Sequence, residues 1–104
     1  MLIVLLAAAA AAGPPVYSPE PERQLARSVY EELVNINTSY STGQTTPAAE
    51  AVARRLLEAG FPKEDVVVLG AAPHKQNVVA RYRGTGTARP LLLLAHLDVV
   101  EAKP

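Results

Sequence analysis

Residues 91–100, Leu91-Leu92-Leu93-Leu94-Ala95-His96-Leu97-Asp98-Val99-Val100, decide how this sequence reads. Four leucines and an alanine in succession leave no polar face, so both sides of the segment call for burial. The run is too short to cross a membrane as a helix, which takes about 20 apolar residues. At this length it predicts a central strand covered on both faces. His96 and Asp98 interrupt the apolar run at its end. In a strand, residues i and i+2 point to the same side, so an imidazole and a carboxylate would stand together at the rim of a buried sheet. From spacing alone the pair is either a metal or acid–base site or a hydrogen-bonded polar pair without chemistry.

Working back from there, residues 77–83 alternate: Val78, Ala80 and Tyr82 against Val79, Arg81 and Arg83, a strand with one covered and one wetter face. Residues 84–88 (GTGTA) predict a hairpin turn into the leucine strand. A phosphate loop would lead from a strand into a helix, so Gly84-Thr85-Gly86 does not fit one. Val66, Val67, Val68 and Leu69 form a short β-branched strand, with residues 70–76 as the loop between the two. His74 falls in that loop and reads as solvated.

Two helices precede the strands. Thr46-Pro47 starts one, threonine as the cap and proline at the first helical position, with Ala49, Val52, Ala53, Leu56 and Leu57 as its apolar face. Gly60-Phe61-Pro62 ends it: a glycine suited to a left-handed cap, an apolar residue to fold back, and a proline that cannot continue the helix. In the other, Leu25, Val29, Leu33 and Ile36 recur at helical spacing behind a proline- and acid-rich start at residues 19–22. That helix should fail over residues 35–39, where Asn, Thr and Ser compete for backbone hydrogen bonds. Residues 38–46 (TSYSTGQTT) form a polar loop, either a plain connector or the border of a substrate cleft. The expected fold class is α/β with a mixed sheet, two helices then three strands. That is thin cover for a strand buried on both faces, and the chain ends six residues beyond Asp98. The expectation is an incomplete, truncated domain, the N-terminal part of a larger one.

Residues 1–12 (MLIVLLAAAAAA) are apolar and are followed by Gly13-Pro14-Pro15. This fits a signal peptide cleaved after Ala12, although no Lys or Arg precedes the run. Cleavage implies export to a periplasm or secretion; without it the protein is cytoplasmic or membrane-anchored. Residues 13–22 read as an extended lead-in, and residues 23–104 as the domain. Ten basic and ten acidic residues cancel, which points away from nucleic acid and from anionic membranes. There is no cysteine, so neither a disulfide nor a lipid-modified cysteine exists. Tyr17, Tyr30, Tyr40 and Tyr82 show no stacking periodicity, and no Gly-x-Ser-x-Gly nucleophile turn is present.

The run LLLLAHLDVV, preceded by NVVARYRGTG and by TTPAAEAVARRLLEAGF, resembles the N-terminus of a family of zinc-dependent exopeptidases and deacylases. Acetylornithine deacetylase, succinyl-diaminopimelate desuccinylase, aminoacylase and the glutamate carboxypeptidases belong to it. The likeness runs from about Arg23 to the end. It implies the N-terminal portion of a zinc-exopeptidase-like catalytic domain, with His96 as a zinc ligand and Asp98 as an active-site carboxylate behind it. It also implies two zinc ions per complete domain, with cobalt or manganese as substitutes, and a metal-activated water that cleaves an amide bond. The substrates implied are small peptides or N-acyl amino acids, and the family's lid domain, which helps bind substrate and often dimerises, leaves the full-length protein either monomer or homodimer. The bridging aspartate, the general-base glutamate and the other ligands of that family have no counterpart in this sequence. The 104-residue chain by itself is therefore expected to be inactive. The rival expectation is a small exported α/β binding or interaction module in which His96 and Asp98 are structural.

Overall fold

The computed structural model describes residues 19–41 and 43–102. The expected signal segment, residues 1–12, and most of the lead-in lie outside the described residues. Helix α1 (Glu20–Val34) begins behind Pro19, with Pro21 in its first turn and Glu20 and Glu22 facing the positive end of the helix dipole. Arg23 lies against Glu20 and holds its carboxyl below the usual glutamate range. The helix stops where expected: the Asn35 side chain donates to the Glu31 carbonyl at 2.7 Å in place of another turn.

Helix α2 (Thr46–Glu58) carries Pro47 in its first turn. The cap position falls one residue earlier than the sequence implied, on Thr45, and neither threonine caps the helix with its side chain. Both hydroxyls turn outward to a neighbouring strand pair instead. At the other end Gly60 takes φ +93°, and Phe61 N–H donates back to the Leu56 carbonyl at 3.0 Å. This is the glycine-closed helix end that Gly60-Phe61-Pro62 predicts.

A short 3-10 turn (Lys63–Asp65) leads into β1 (Val66–Ala72), which pairs antiparallel with β2 (Lys75–Ala80) in the register Val66↔Ala80, Val67↔Val79, Val68↔Val78. Both strands reach further toward each other than expected, so residues 70–76 are not a loop. Only Pro73 and His74 turn the chain, and His74 is exposed there. Gly70 makes this extension possible: a Cβ at that position would meet the Lys75 carbonyl oxygen at 2.6 Å. A register shift between Leu69 and Ala72 marks a bulge at the same place.

Helix α2 lies on the hairpin and buries Ala48, Ala49 and Ala53, whose small side chains let the helix approach closely. Val66, Val68 and Val78 are partly covered on the inner face, while Val67, Leu69 and Val79 remain 44–54% exposed on the outer one. Helix α1 buries no residue and meets α2 through charge. Arg54 and Arg55 of α2 both reach Glu32, and the Arg55 guanidinium also donates to the Ser28 hydroxyl at 3.0 Å. The hydrogen bond from Arg55 holds the Glu32 carboxyl below its usual range.

The third strand does not form. Residues 91–98 belong to no strand, and Leu91, Leu92, Leu93 and Leu94 are 82–89% exposed. The reason is geometric. Residues 84–88 do not close a hairpin; the chain bends at residues 86–88, with Gly86 at φ +81°, and the segment does not return along β2. Among the described residues the sheet is therefore two-stranded and antiparallel, not mixed, and the fold is a small α/β arrangement of two helices and a hairpin. A single parallel bridge, Ser39↔Val99, is the contact the leucine arm makes in strand fashion.

Candidate functional site

His96 and Asp98 sit on this arm, and the structure brings them together. His96 Nδ1 lies 2.8 Å from the Asp98 carbonyl oxygen and 3.3 Å from Asp98 Oδ1. A carbonyl only accepts, so the Nδ1 atom carries the proton and donates it. Whenever the ring is neutral, its lone pair then lies on Nε2, the other ring nitrogen. Fixing one ring nitrogen in order to free the other is how ligating histidines are oriented. Both side chains are exposed, at 84% for His96 and 67% for Asp98. The rim of a buried sheet that the sequence implied is absent, because the segment carrying them forms no strand.

What holds the arm in place is the polar loop before α2. Asn37 Oδ1 accepts from the Ser39 amide at 3.1 Å and the Ser39 hydroxyl at 2.8 Å, and Gly43 N–H closes the turn onto the Ser39 carbonyl at 3.1 Å. Gly43 packs so closely that a Cβ would meet Ser39 N at 2.3 Å. This loop grips the arm twice. The Thr38 carbonyl accepts from Val99 N–H at 3.4 Å, and Glu101 accepts from the Ser41 amide and hydroxyl. Between loop and arm lies an open cleft of about 490 Å³ bordered by Val34, Ile36, Ser41, Val100 and Glu101. His96 and Asp98 lie outside its lining.

The loop is anchored in turn to the hairpin. Thr45 N–H donates to the His74 carbonyl at 3.2 Å and Thr45 Oγ1 to the Gln76 carbonyl at 2.8 Å. Thr46 Oγ1 donates to the Pro73 carbonyl at 2.7 Å and accepts from Gln76 N–H at 3.2 Å. Lys75 adds an ammonium that donates to the Gly43 carbonyl at 3.1 Å and the Ser39 carbonyl at 3.5 Å, with the Tyr40 ring 6.0 Å away. Sequence reasoning missed Lys75, since a lysine after Pro-His resembles any solvated turn residue.

A second missed cluster lies at the far end of the hairpin. Asp65 is buried, its side chain only 1% exposed, and receives Arg83 in a two-pronged pair at 2.7 and 2.7 Å, with Arg81 at 3.9 Å. The Arg83 hydrogen bonds hold the Asp65 carboxyl below its usual range, and Asp65 raises the Arg83 guanidinium in return. Phe61 and Tyr82 pack with ring centroids 5.6 Å apart beside the pair. The signal was present in the sequence: Arg81 and Arg83 alternate just past the end of β2, whose partner β1 begins directly after Asp65.

Two zinc ions were the cofactor implied by resemblance. Among the described residues no three His, Asp or Glu side chains gather where one metal ion could be held. The donors near His96 amount to one imidazole and one carboxylate, and Glu101 is engaged by Ser41. A catalytic zinc site takes about three protein ligands, so these residues do not make one on their own. Likewise no helix among the described residues is long and apolar enough to cross a membrane. No family model, curated protein or solved structure matches the chain.

Proposed function

We propose that this chain carries one arm of a metal-dependent amide hydrolase of the zinc exopeptidase and deacylase type. In this reading His96 contributes Nε2 as a metal ligand, and Asp98 orients the ring and acts as the carboxylate behind it. The remaining ligands and the general base come from sequence beyond this arm. The observation that supports it is the Nδ1–H of His96 held on the Asp98 carbonyl, which leaves Nε2 as a ready donor. The resemblance of LLLLAHLDVV to the metal-binding strand of that family supports it independently. In the complete enzyme a bound metal would polarise the amide carbonyl of a small peptide or N-acyl amino acid and lower the pKa of its water.

The purified 104-residue chain tests this. Zinc titration followed by the His96 ring resonances should shift Nε2 and leave Nδ1 bonded, with no hydrolysis of N-acyl amino acids. Zinc-dependent turnover by the chain alone would overturn the reading of a partial site, and the ligand role falls if His96→Ala leaves the zinc content of a chain extended through the further ligands unchanged. Sequencing the transcript past the Pro104 codon should reveal further acidic ligands in frame.

A second reading, a small binding module without catalysis, draws support from the cleft of about 270 Å³ lined by Phe61, Tyr82, Arg81 and Arg83. Its aromatic pair and half-neutralised guanidiniums suit an anionic, partly apolar ligand.

A further inference from the structure

We infer that Lys75 is the positioning residue of the His96–Asp98 arm, acting through the loop at residues 37–45. The inference concerns the arm to which the preceding reading gives a metal, yet it rests on contacts that need none.

Three observations converge on it. First, the arm has almost no packing of its own: residues 91–96 are exposed, so hydrophobic burial does not hold it. Its described attachments are the Val99 amide on the Thr38 carbonyl and Glu101 on Ser41, and both partners belong to the loop. Second, the loop owns little apolar material. Thr38, Ser39 and Thr45 are buried through hydrogen bonding, so its shape depends on polar groups being satisfied. Third, a single cation spans it. The Lys75 ammonium donates to Ser39 O and Gly43 O, the two carbonyls that frame the turn carrying Tyr40 and Ser41. Hydrogen bonds from a charged donor are roughly twice as strong as neutral ones, and here they reinforce the Gly43 N–H bond to the Ser39 carbonyl.

Other charges do not compete for this ammonium. No carboxylate forms an ion pair with Lys75 among the described residues, and its two carbonyl acceptors lie on the loop side. Its stem runs from the first residue of β2, directly after the turn that Thr45 and Thr46 fix. The hairpin thereby sets the height of the loop, and the loop sets the position of the arm. The chemistry at His96 then depends on a residue that touches neither His96 nor Asp98.

The experiment compares the full chain with Lys75→Met, which keeps the stem and removes the charge, and with Lys75→Arg, which restores it. Two signals are read without metal: amide exchange at Val99 and Ser41, and the ring nitrogen resonances that report the His96 tautomer. Lys75→Met should speed exchange at both amides about tenfold while Val67 and Val79 stay unchanged, because only the loop is released. The same change should move His96 from the Nδ1–H form toward a solvent mixture, and Lys75→Arg should return both signals. If Lys75→Met also loosens the hairpin, Glu101→Gln decides, since it weakens the clasp from the arm side alone. Its effect on His96 should then vanish in a Lys75→Met background. Unchanged Val99 exchange in Lys75→Met, a Val99 amide unprotected in the native chain, or additive effects of the two substitutions would each overturn the inference. None of these outcomes bears on whether zinc binds, so the two readings fail separately.

Discussion

Two apolar runs in this chain look alike and behave differently. Residues 66–69 (VVVL) become a strand with a covered face, and residues 91–94 (LLLL) belong to no strand and are 82–89% exposed. Both runs are wholly apolar, so apolar content does not decide the outcome. Closure does. The valine run meets its partner across a turn of only Pro73 and His74, locked by Thr45 and Thr46, and α2 lies on the result. The leucine run follows an open connector and reaches no sheet edge. A two-sided apolar segment becomes a strand only when partners are supplied on its edges and faces.

The contrast can be broken by substitution. The largest effect is expected at Ala49, fully buried where α2 lies on the hairpin. Ala49→Phe overpacks the helix–hairpin contact and should cost about 1–3 kcal/mol in urea unfolding. Next comes Gly60→Ala. A Cβ there meets nothing within 4 Å, so the cost is the left-handed backbone alone, about 1–2 kcal/mol.

A smaller effect is expected in acid. The Asp65 carboxyl is held below its usual range in the folded chain, so its stabilising contribution is complete above the ordinary aspartate range and drains away as pH falls through and below it. Glu32 adds in the same direction through Arg55. Thermal melts between neutral and strongly acidic pH should therefore decline, and Asp65→Asn should flatten that decline while lowering the neutral melting temperature. The smallest effect belongs to the arm: Leu93→Ala should change stability by no more than about 0.5 kcal/mol. A loss as large as that of Ala49→Phe would mean that the leucines are packed in solution, and the contrast between the two runs would fall.

Local signals in the sequence carried much of the fold. Pro47 and Gly60-Phe61-Pro62 bounded α2 because proline and glycine act through their own backbone, whatever surrounds them. The failure of α1 at Asn35 was legible in a side chain, whose amide bonds back to the Glu31 carbonyl. The strand pair was legible, β1 in its β-branched run and β2 in its alternation, but its turn and the end of β2 at Ala80 rather than Arg83 were not. Gly70 looked like a strand end, whereas its missing side chain lets the partner backbone approach through a bulge. The leucine run misled because its burial depends on neighbours that no property of the run itself specifies. At the candidate site, His96 and Asp98 meet without the strand from which their adjacency was expected, the imidazole lying on the Asp98 backbone carbonyl. Lys75 did not follow from anything local, since its acceptors are carbonyls more than thirty positions away in the chain.

The pair of threonines at the start of α2 has a practical corollary for opening the chain. Between them they engage the backbone of Pro73, His74 and Gln76, so a peptide tag spliced into that turn would have to tear out four hydrogen bonds. The connector at residues 84–90 is exposed throughout, and Gly84 has open space around it. Foreign sequence belongs there. A reporter inserted at that point would leave the helix–hairpin unit whole and lengthen only the tether to His96.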